Sequence, residues 1–526
     1  MTLNAVLKAA SRRLPIIVLV LGLGFTFMLQ ASIVGEVFVT GDAGVKYLLM
    51  KNYASGRFTH DLDLHHEPWV ARLWQAGLYP LEYPARVQVQ GHGVLFYHFL
   101  FPLLSAVPYR LLGYRGLYLL PLVTTWLLWW IVYRACRALE FHPLTTSLAL
   151  LALIFGSPLT YYSAAFWEHS PAWFLTTCGL LFIIVFHGPK RFARILQYLG
   201  GFLIGSTALL REETLIVAAL VAVLAGVMSW RRLSLIREIR LSFFMSGLFS
   251  GVILFGVVNS AVYGHPLGIH AVATLDSAEW GAAPPLRILK ASVASLLRFF
   301  PLSIIVIPAG LVFLLNRESD RFRRGLFLCL LALGIIVCIP PIVRYEGGRQ
   351  WGPRYVLLAV PLIVLAAGLI VEWARRRKRS AFAVAPILAC ILWGVWINAP
   401  GMTRSLYHNY ETRMIPLRYV RAVSTPAVAV THQFVTQQLV AALDEKPFFL
   451  TKNEEQLRKL TRELYRRGWR SHLLLCHTLH NFDPFDGEPE RVRLLQKDGK
   501  AVAADYVKLG YVGRYAAYKA IIRSRD

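Results

Sequence analysis

Clusters of basic residues punctuate a chain made largely of long apolar runs, and this alternation leaves few folds open. The clusters are Arg134/Arg137, Lys190/Arg191/Arg194, Arg231/Arg232/Arg237/Arg240, Arg317/Arg321/Arg323/Arg324 and Arg375 to Arg379. Runs of about 20 apolar residues cross a bilayer as helices, because a helix satisfies its own backbone polar groups where no water can. Hydrophobic residues make up 56% of the 526 positions and charged residues only 16%, with a mean hydropathy of +0.49. That balance excludes an ordinary soluble protein and gives a polytopic α-helical membrane protein. The formal charge of +26 would suit nucleic acid. Here, however, the basic residues lie in short loops between apolar runs, where the positive-inside bias puts them, so no nucleic-acid partner is read. Five of the six cysteines (Cys136, Cys178, Cys329, Cys338, Cys390) sit in or beside apolar runs, which implies no disulfide framework.

Lys8, Arg12 and Arg13 precede the run from Leu14 to about Val34. Its apolar length exceeds the roughly 7–15 residues of a cleavable signal, so it reads as a retained anchor with a cytoplasmic N-terminus. The next run, Val94 to Leu112, is interrupted by Tyr97, His98, Pro102, Pro108 and Tyr109. If it crossed the membrane, all the basic clusters would lie outside; read as an interfacial or re-entrant segment, it puts all of them inside. This gives 11 spans, at about 14–34, 116–137, 144–163, 170–187, 195–210, 214–229, 241–262, 298–316, 325–343, 355–373 and 381–399. Residues 1–400 form the membrane domain, and residues 35–115 form a first outer loop within it. Ala43–Ser55 and Trp69–Leu78 in that loop read as amphipathic helices lying on the outer surface.

Composition shifts near Pro400, and residues 401–526 read as a small extracytoplasmic α/β domain. Ala427–Thr431, Pro447–Leu450 and His472–Cys476 are β-type runs, alternating with helical stretches Phe434–Leu443 and Asn453–Gly468. Thr451 and Glu454 make a capping-box pattern for the second helix, and a hairpin-like pair around Val507–Ile522 closes the sheet. No Gly-rich dinucleotide turn is present.

With this topology the outer ends of the spans collect ionisable residues: Asp42 with Lys46, Trp167-Glu168-His169, Arg211-Glu212-Glu213, and the stretch from Arg344 to Tyr355. Charges at membrane depth are costly and face a cavity or a partner. Paired at helix ends they are structural; converging on one face they make an anion-binding cavity. Arg211, Arg344, Arg349 and Arg354 offer planar forks suited to phosphate. Trp167, Trp351 and Tyr355 suit stacking on a sugar or lipid, or an interfacial belt. Asp42, between Gly41 and Gly44, has two readings, a catalytic base or a helix cap. His60, His65, His66 and Glu67 are residue types that hold zinc or manganese, but no established metal or cofactor motif accompanies them.

These residues, in this order, resemble the GT-C superfamily of membrane glycosyltransferases. The similarity is to the polyprenyl-phosphate-sugar-dependent enzymes related to protein mannosyltransferases and lipid A aminoarabinose transferases. It rests on Gly41-Asp42 in a large first outer loop, Arg211 outside the fifth span, and Trp351-Gly352-Pro353-Arg354-Tyr355 entering a late span, and it covers roughly residues 10–400. The resemblance implies an inverting transferase of the inner (plasma) membrane that moves a sugar from a polyprenyl phosphate to an extracytoplasmic protein, glycan or lipid. It implies Asp42 as base, Arg211, Arg354, Arg349, Arg344 and Lys46 on the donor phosphate, and Glu168, His169, Glu67, Trp351 and Tyr355 in support. The chain departs from many members in carrying Ala43 where they place a second acid, a role for which Glu168 and Glu67 are the candidates. The competing classes are a transporter or flippase of an anionic lipid or sugar, and an inactive envelope scaffold of the same fold. A transporter should show internal repeats and broken spans at mid-membrane, and the sequence shows no convincing repeat.

Overall fold

A computed structural model of the chain describes residues 3–62, 67–185, 190–230, 241–271, 284–316, 319–343, 350–377, 380–477 and 501–525. In chain order these form α1 (Leu3–Ala31), α2 (Gly41–Ala54), α3 (Pro68–Leu73), the hairpin strands β1 (Arg86–Val89) and β2 (His92–Leu95), and α4 (Leu100–Leu112). Next come α5 (Leu119–Ala138), α6 (Pro143–Ile154), α7 (His169–Ile184), α8 (Lys190–Ser206), α9 (Thr214–Trp230) and α10 (Leu241–Tyr263). They are followed by α11 (Pro285–Phe299), α12 (Val306–Leu315), α13 (Asp320–Val343), α14 (Ala359–Arg376) and α15 (Ser380–Ala422). The C-terminal part holds β3 (Val428–Val430), α16 (Gln433–Gln438), β4 (Phe448–Leu450), α17 (Glu454–Arg466), β5 (Ser471–His477), β6 (Ala501–Val512) and β7 (Tyr515–Arg525). Two compact units result: Met1–Ser32 with Arg115–Leu406, and Ile33–Tyr114 with Tyr407–Asp526.

The first unit is helical. Among the described residues of the whole chain, five helical stretches are long and apolar enough to cross a bilayer: Arg12–Ala31, Leu100–Ala138, Leu241–Tyr263, Asp320–Val343 and Val384–Ala422. Counting each of two bent pairs as one span raises this to seven, Pro143–Ile154 with Pro158–Ala164 bending by 57° and Pro285–Phe299 with Pro301–Leu315 by 112°. His169–Ile184 and Thr214–Ser229 are apolar but shorter. The runs read as spans at 195–210 and 355–373 are also helical, but α8 has 17 residues and α14 ends in Glu372, Arg375 and Arg376. The stretch Val94–Leu112 ends β2 and then forms α4, which continues through the 3-10 turn Gly113–Tyr118 into α5.

Short helices in lipid gain little from hydrophobic burial against one another, so close contact between their backbones has to hold them. Here α8 is locked between α7 and α10. A methyl group added at Gly201 would lie 2.1 Å from the Phe244 carbonyl oxygen, and one at Gly205 2.4 Å from that of Leu248. In return, a methyl group added at Gly247 would lie 2.0 Å from the Tyr198 carbonyl oxygen, and one at Gly251 2.6 Å from that of Phe202. Each helix thus presents a Gly-xxx-Gly pair to the other. On its other side, a methyl group added at Gly200 would lie 2.7 Å from the Gly179 carbonyl oxygen of α7.

In the second unit the five-stranded sheet runs β4-β3-β5-β7-β6. β3 is parallel to β4 and β5, and the β6/β7 hairpin adds antiparallel strands beyond β5. This is the small α/β architecture that the strand and helix alternation predicts. The cap of α17 differs: Asn453, not Thr451, accepts from the Gln456 amide at 2.9 Å, while Gln456 Oε1 accepts from the Lys452 amide at 2.7 Å. The cap thus falls two residues later than the sequence suggests, and the returning side chain satisfies the amide before the N-cap, not that of the N-cap itself as in a capping box.

Neither helix of the first loop is the surface helix that its pattern predicts. α2 is buried along most of its length, from Ala43 to Met50, because α4 and α16 pack on it. Gly44 serves that packing, since an added methyl would sit 1.9 Å from the Gln437 carbonyl oxygen. α3 and the π-helical turn Trp74–Leu78 place Trp69, Val70, Leu73 and Leu78 in one core with Ala429, Phe449, Leu460 and Leu474 of the α/β fold. Trp69 lies 5.5 Å from the Phe449 ring and 5.0 Å from that of Trp469. Their apolar faces therefore meet protein rather than lipid.

Within this sheet, His472 is fully buried beside Tyr506, its Nε2 3.3 Å from the phenol oxygen. Burial pushes its pKa down from 6.5 to about 3. The unfolded chain therefore binds the proton first. The stability this neutral histidine permits is complete above about pH 6.5 and declines as pH falls toward the folded value. At pH 5 the sheet should be about 2 kcal/mol less stable than at pH 8 from this residue alone. Amide exchange in β5 should accelerate accordingly in the parent protein, and the His472→Leu variant should lose most of that pH dependence.

Candidate functional site

In the helical unit the structure gathers Trp167, Glu168, His169, Arg211, Arg354 and Tyr355, all singled out in the sequence. Glu168 and His169 open α7, and α8 leads through the 3-10 turn Thr207–Leu209 to Arg211. The glycine contact between α7 and α8 thus fixes how these ends meet. Arg211 Nη1 donates to Glu168 Oε1 at 3.0 Å and lies 2.6 Å from His169 Nε2, and the guanidinium also pairs with Glu213. Burial opposes charge on Arg211, but the carboxylates of Glu213 and Glu168 outweigh it and raise its pKa. The neighbouring Glu212 lies 3.2 Å from His270 Nδ1.

Aromatic rings wall this cluster. The His169 ring stacks on Trp167 at 4.6 Å and on Tyr162 at 5.1 Å. Arg354 lies 4.9 Å above the Trp167 ring and 4.8 Å from that of Tyr355, and donates to the Tyr355 hydroxyl at 2.9 Å. Arg211 lies 5.5 Å from the same Tyr355 ring, so two buried guanidinium groups flank one phenol. Cation–π contact of this kind holds charge where water is scarce.

The loop carrying Arg354 is fixed from behind by residues the sequence reading did not select. Trp351 Nε1 donates to Asn398 Oδ1 at 2.9 Å, and Asn398 Nδ2 reaches the carbonyl oxygens of Phe299 at 2.6 Å and Gly394 at 2.8 Å. The Tyr162 hydroxyl donates to the Trp351 carbonyl at 3.3 Å. Gly352, at φ +81°, has Pro158 where a side chain would stand. A lone Asn inside the apolar run 381–399 was the available signal for Asn398, since a buried amide in a membrane helix needs partners.

The other named residues lie elsewhere. Arg344 and Arg349, and the candidate metal ligands His65 and His66, fall outside the described residues. His60 Nδ1 meets the Tyr53 hydroxyl at 2.8 Å. Glu67 accepts from Trp69 Nε1 at 2.8 Å and lies 3.8 Å from Arg467, ahead of α3. Asp42 and Lys46 belong to the second unit, on α2. The cap of α2 is Thr40, whose Oγ1 accepts from the Ala43 amide at 3.3 Å, so Asp42 is in the first turn and not the cap. There a carboxylate faces the favourable end of the helix dipole. Lys46, one turn later on the same face, is buried with its ammonium 4.8 Å from the Tyr97 ring.

Because Arg211 pairs with both Glu168 and Glu213 in a poorly hydrated setting, Arg211→Gln should cost about 3 kcal/mol by breaking two ion pairs at once. Thermal denaturation in detergent should show this loss, and adding Glu213→Gln should restore part of it.

No family model and no curated protein sequence matches the chain. Solved structures share its fold, among them two of one protein. ArnT from Cupriavidus metallidurans bound to undecaprenyl phosphate superposes with a TM-score of 0.54 at 12% identity, over 95% of this chain and 97% of that one. The apo state of the same protein gives 0.50 at 13% identity, over 94% and 96%. The chain therefore has the GT-C membrane fold that the sequence resemblance implies.

Proposed function

We propose that this chain is an integral-membrane inverting glycosyltransferase that moves a sugar from a polyprenyl phosphate to an extracytoplasmic acceptor. The observation that carries the reading is the pair of buried, aromatic-walled guanidinium groups of Arg211 and Arg354, set in a fold shared with a protein solved with undecaprenyl phosphate. Two such groups held away from water suit a phosphate that gains charge as it leaves.

In the proposed reaction Asp42 takes the proton from an acceptor hydroxyl or amine. The acceptor atom bonds to the anomeric carbon from the face opposite the phosphate. The carbon–oxygen bond to phosphate then breaks, its electron pair going to the phosphate oxygen, and the sugar inverts. Arg211 and Arg354, with Lys46, Arg344 and Arg349, are assigned to the departing charge. Glu168 and His169 orient Arg211, a supporting role consistent with their hydrogen bonds to it. Tyr355 and Trp167 hold Arg354, and Trp351 anchors its loop through Asn398. Ala43 leaves Asp42 as the acid assigned to proton transfer.

Asp42→Asn should fold and bind donor but lose roughly 100-fold or more in transfer, the usual range for a general base. Transfer at the parent rate would remove Asp42 from the chemistry and favour a transporter or scaffold. Arg354→Lys keeps the charge and loses the fork, so it should weaken donor binding by about 1–3 kcal/mol. Release of polyprenyl phosphate from lipid-linked sugar by the purified protein measures both.

The proposed orientation puts the N-terminus in the cytoplasm and α2 and the α/β fold outside. Cysteines placed at the exposed positions Lys452 and Arg377 test it. An impermeant maleimide should label position 452 from outside the intact cell and spare position 377; the reverse pattern would invert the topology.

A further inference from the structure

A cavity of about 610 Å³ opens within the unit formed by Ile33–Tyr114 and Tyr407–Asp526. It lies between the turn after α3, strand β1 and the loop from β4 into α17. The transfer chemistry above does not use it. Its size falls within the range of small-molecule sites. It also sits beyond the carboxyl end of the edge strand β4.

The walls are ordered before any ligand arrives. Trp74 donates through Nε1 to the Phe448 carbonyl at 3.0 Å and meets the Tyr79 ring edge-on at 5.1 Å. The Tyr79 hydroxyl donates to Asp61 at 2.8 Å, and the Arg86 guanidinium covers the Tyr79 ring at 4.1 Å. Arg86 in turn reaches both Asp61 oxygens, at 2.9 and 2.7 Å. On the other side Lys452 pairs with Glu82, and Gln456 donates to the Gly77 carbonyl at 3.2 Å. Groups fixed in this way lose little freedom on binding.

Charge decides what such walls accept. Each cation lining the cavity is matched by a carboxylate, Arg86 by Asp61 and Lys452 by Glu82, so a phosphate or nucleotide gains no net attraction. What remains is the part of the Trp74 and Tyr79 rings left beside Arg86, together with the amides of Gln75, Gln88 and Gln456; an amide already bonded once at each end, as Gln456 is to the Lys452 N–H and the Gly77 carbonyl, keeps one N–H and one lone pair for a ligand. That combination fits a neutral molecule with apolar C–H faces and many hydroxyl groups. We infer that the cavity binds a neutral saccharide, which under the proposed transferase function is the glycan portion of the acceptor.

A strut joins this cavity to the helix that carries Asp42. The Glu82 amide donates to Gln433 Oε1 at 3.2 Å, and Gln433 Nε2 donates to the Tyr83 carbonyl at 2.7 Å. Gln437, 3.3 Å from Gln433, packs against Gly41 and Gly44 on either side of Asp42. An occupied cavity therefore bears on α2 through one side-chain pair.

The acceptor assignment rests on the transferase reading, whereas saccharide binding does not. The test uses the full chain in a detergent without sugar headgroups, titrated calorimetrically with maltotriose, mannotriose, galactotriose and chitotriose. At least one should bind saturably. Gln88→Ala and Gln75→Ala, both exposed, should keep the parent melting temperature. Each should weaken binding by about tenfold, the equivalent of one good hydrogen bond. Inorganic phosphate should not compete. Absence of binding by every trisaccharide, unchanged affinity in both variants, or displacement by phosphate each overturns the inference. A protein that turns over lipid-linked sugar without binding any trisaccharide keeps the transferase reading and loses this one. One that binds through Gln88 but releases no polyprenyl phosphate keeps the cavity as a saccharide site and loses the transferase reading.

Discussion

Backbone contact between α8 and its two neighbours sets the geometry on which the arginine cluster depends. Each helix of the α8/α10 pair offers a Gly-xxx-Gly face to the other, and the single glycines Gly200 and Gly179 bring α8 close to α7. With no side chains between them the helices cannot slide by a fraction of a turn without collision. The ends of α7 and α8, which carry Glu168, His169 and Arg211, inherit that rigidity. A buried ion pair repays its desolvation only when its geometry is tight, and here the tightness begins roughly three helical turns away, in residues that have no side chains.

The second consequence is electrostatic. Arg211 is balanced by Glu168 and Glu213 where it stands, while Arg354 is held on the faces of Trp167 and Tyr355. The cluster is therefore close to neutral as a group, yet it presents two oriented forks in a dry setting. A preorganised site of this kind contributes most when charge develops late, since its dipoles are already aligned.

Much of this was legible in the sequence, and the rest was hidden for identifiable reasons. Hydropathy and basic clusters are one-dimensional signals, so the membrane class and the α/β tail could be read directly. The convergence of Glu168, Arg211 and Arg354 could be read because ionisable residues at membrane depth are few. Asn398 and Tyr162 escaped notice because a single amide or phenol reveals its role only through the carbonyls it reaches. The first loop misled for a different reason. An apolar face at helical spacing looks the same whether it meets lipid or a sheet more than 300 residues away, and Trp69, Val70 and Leu73 meet the sheet. Asp42 looked like a cap because Thr40, two residues earlier, is an equally good one.

The shared core of α3 and the C-terminal sheet also orders the protein's birth. The ribosome delivers Trp69 and Leu78 long before Phe449 or Leu474 exists, an interval on the order of half a minute at ~5–20 residues per second. Through that interval the face that will close the sheet has no protein to cover it. The amphipathic character that suggests a lipid-facing helix therefore describes the nascent chain better than the finished one.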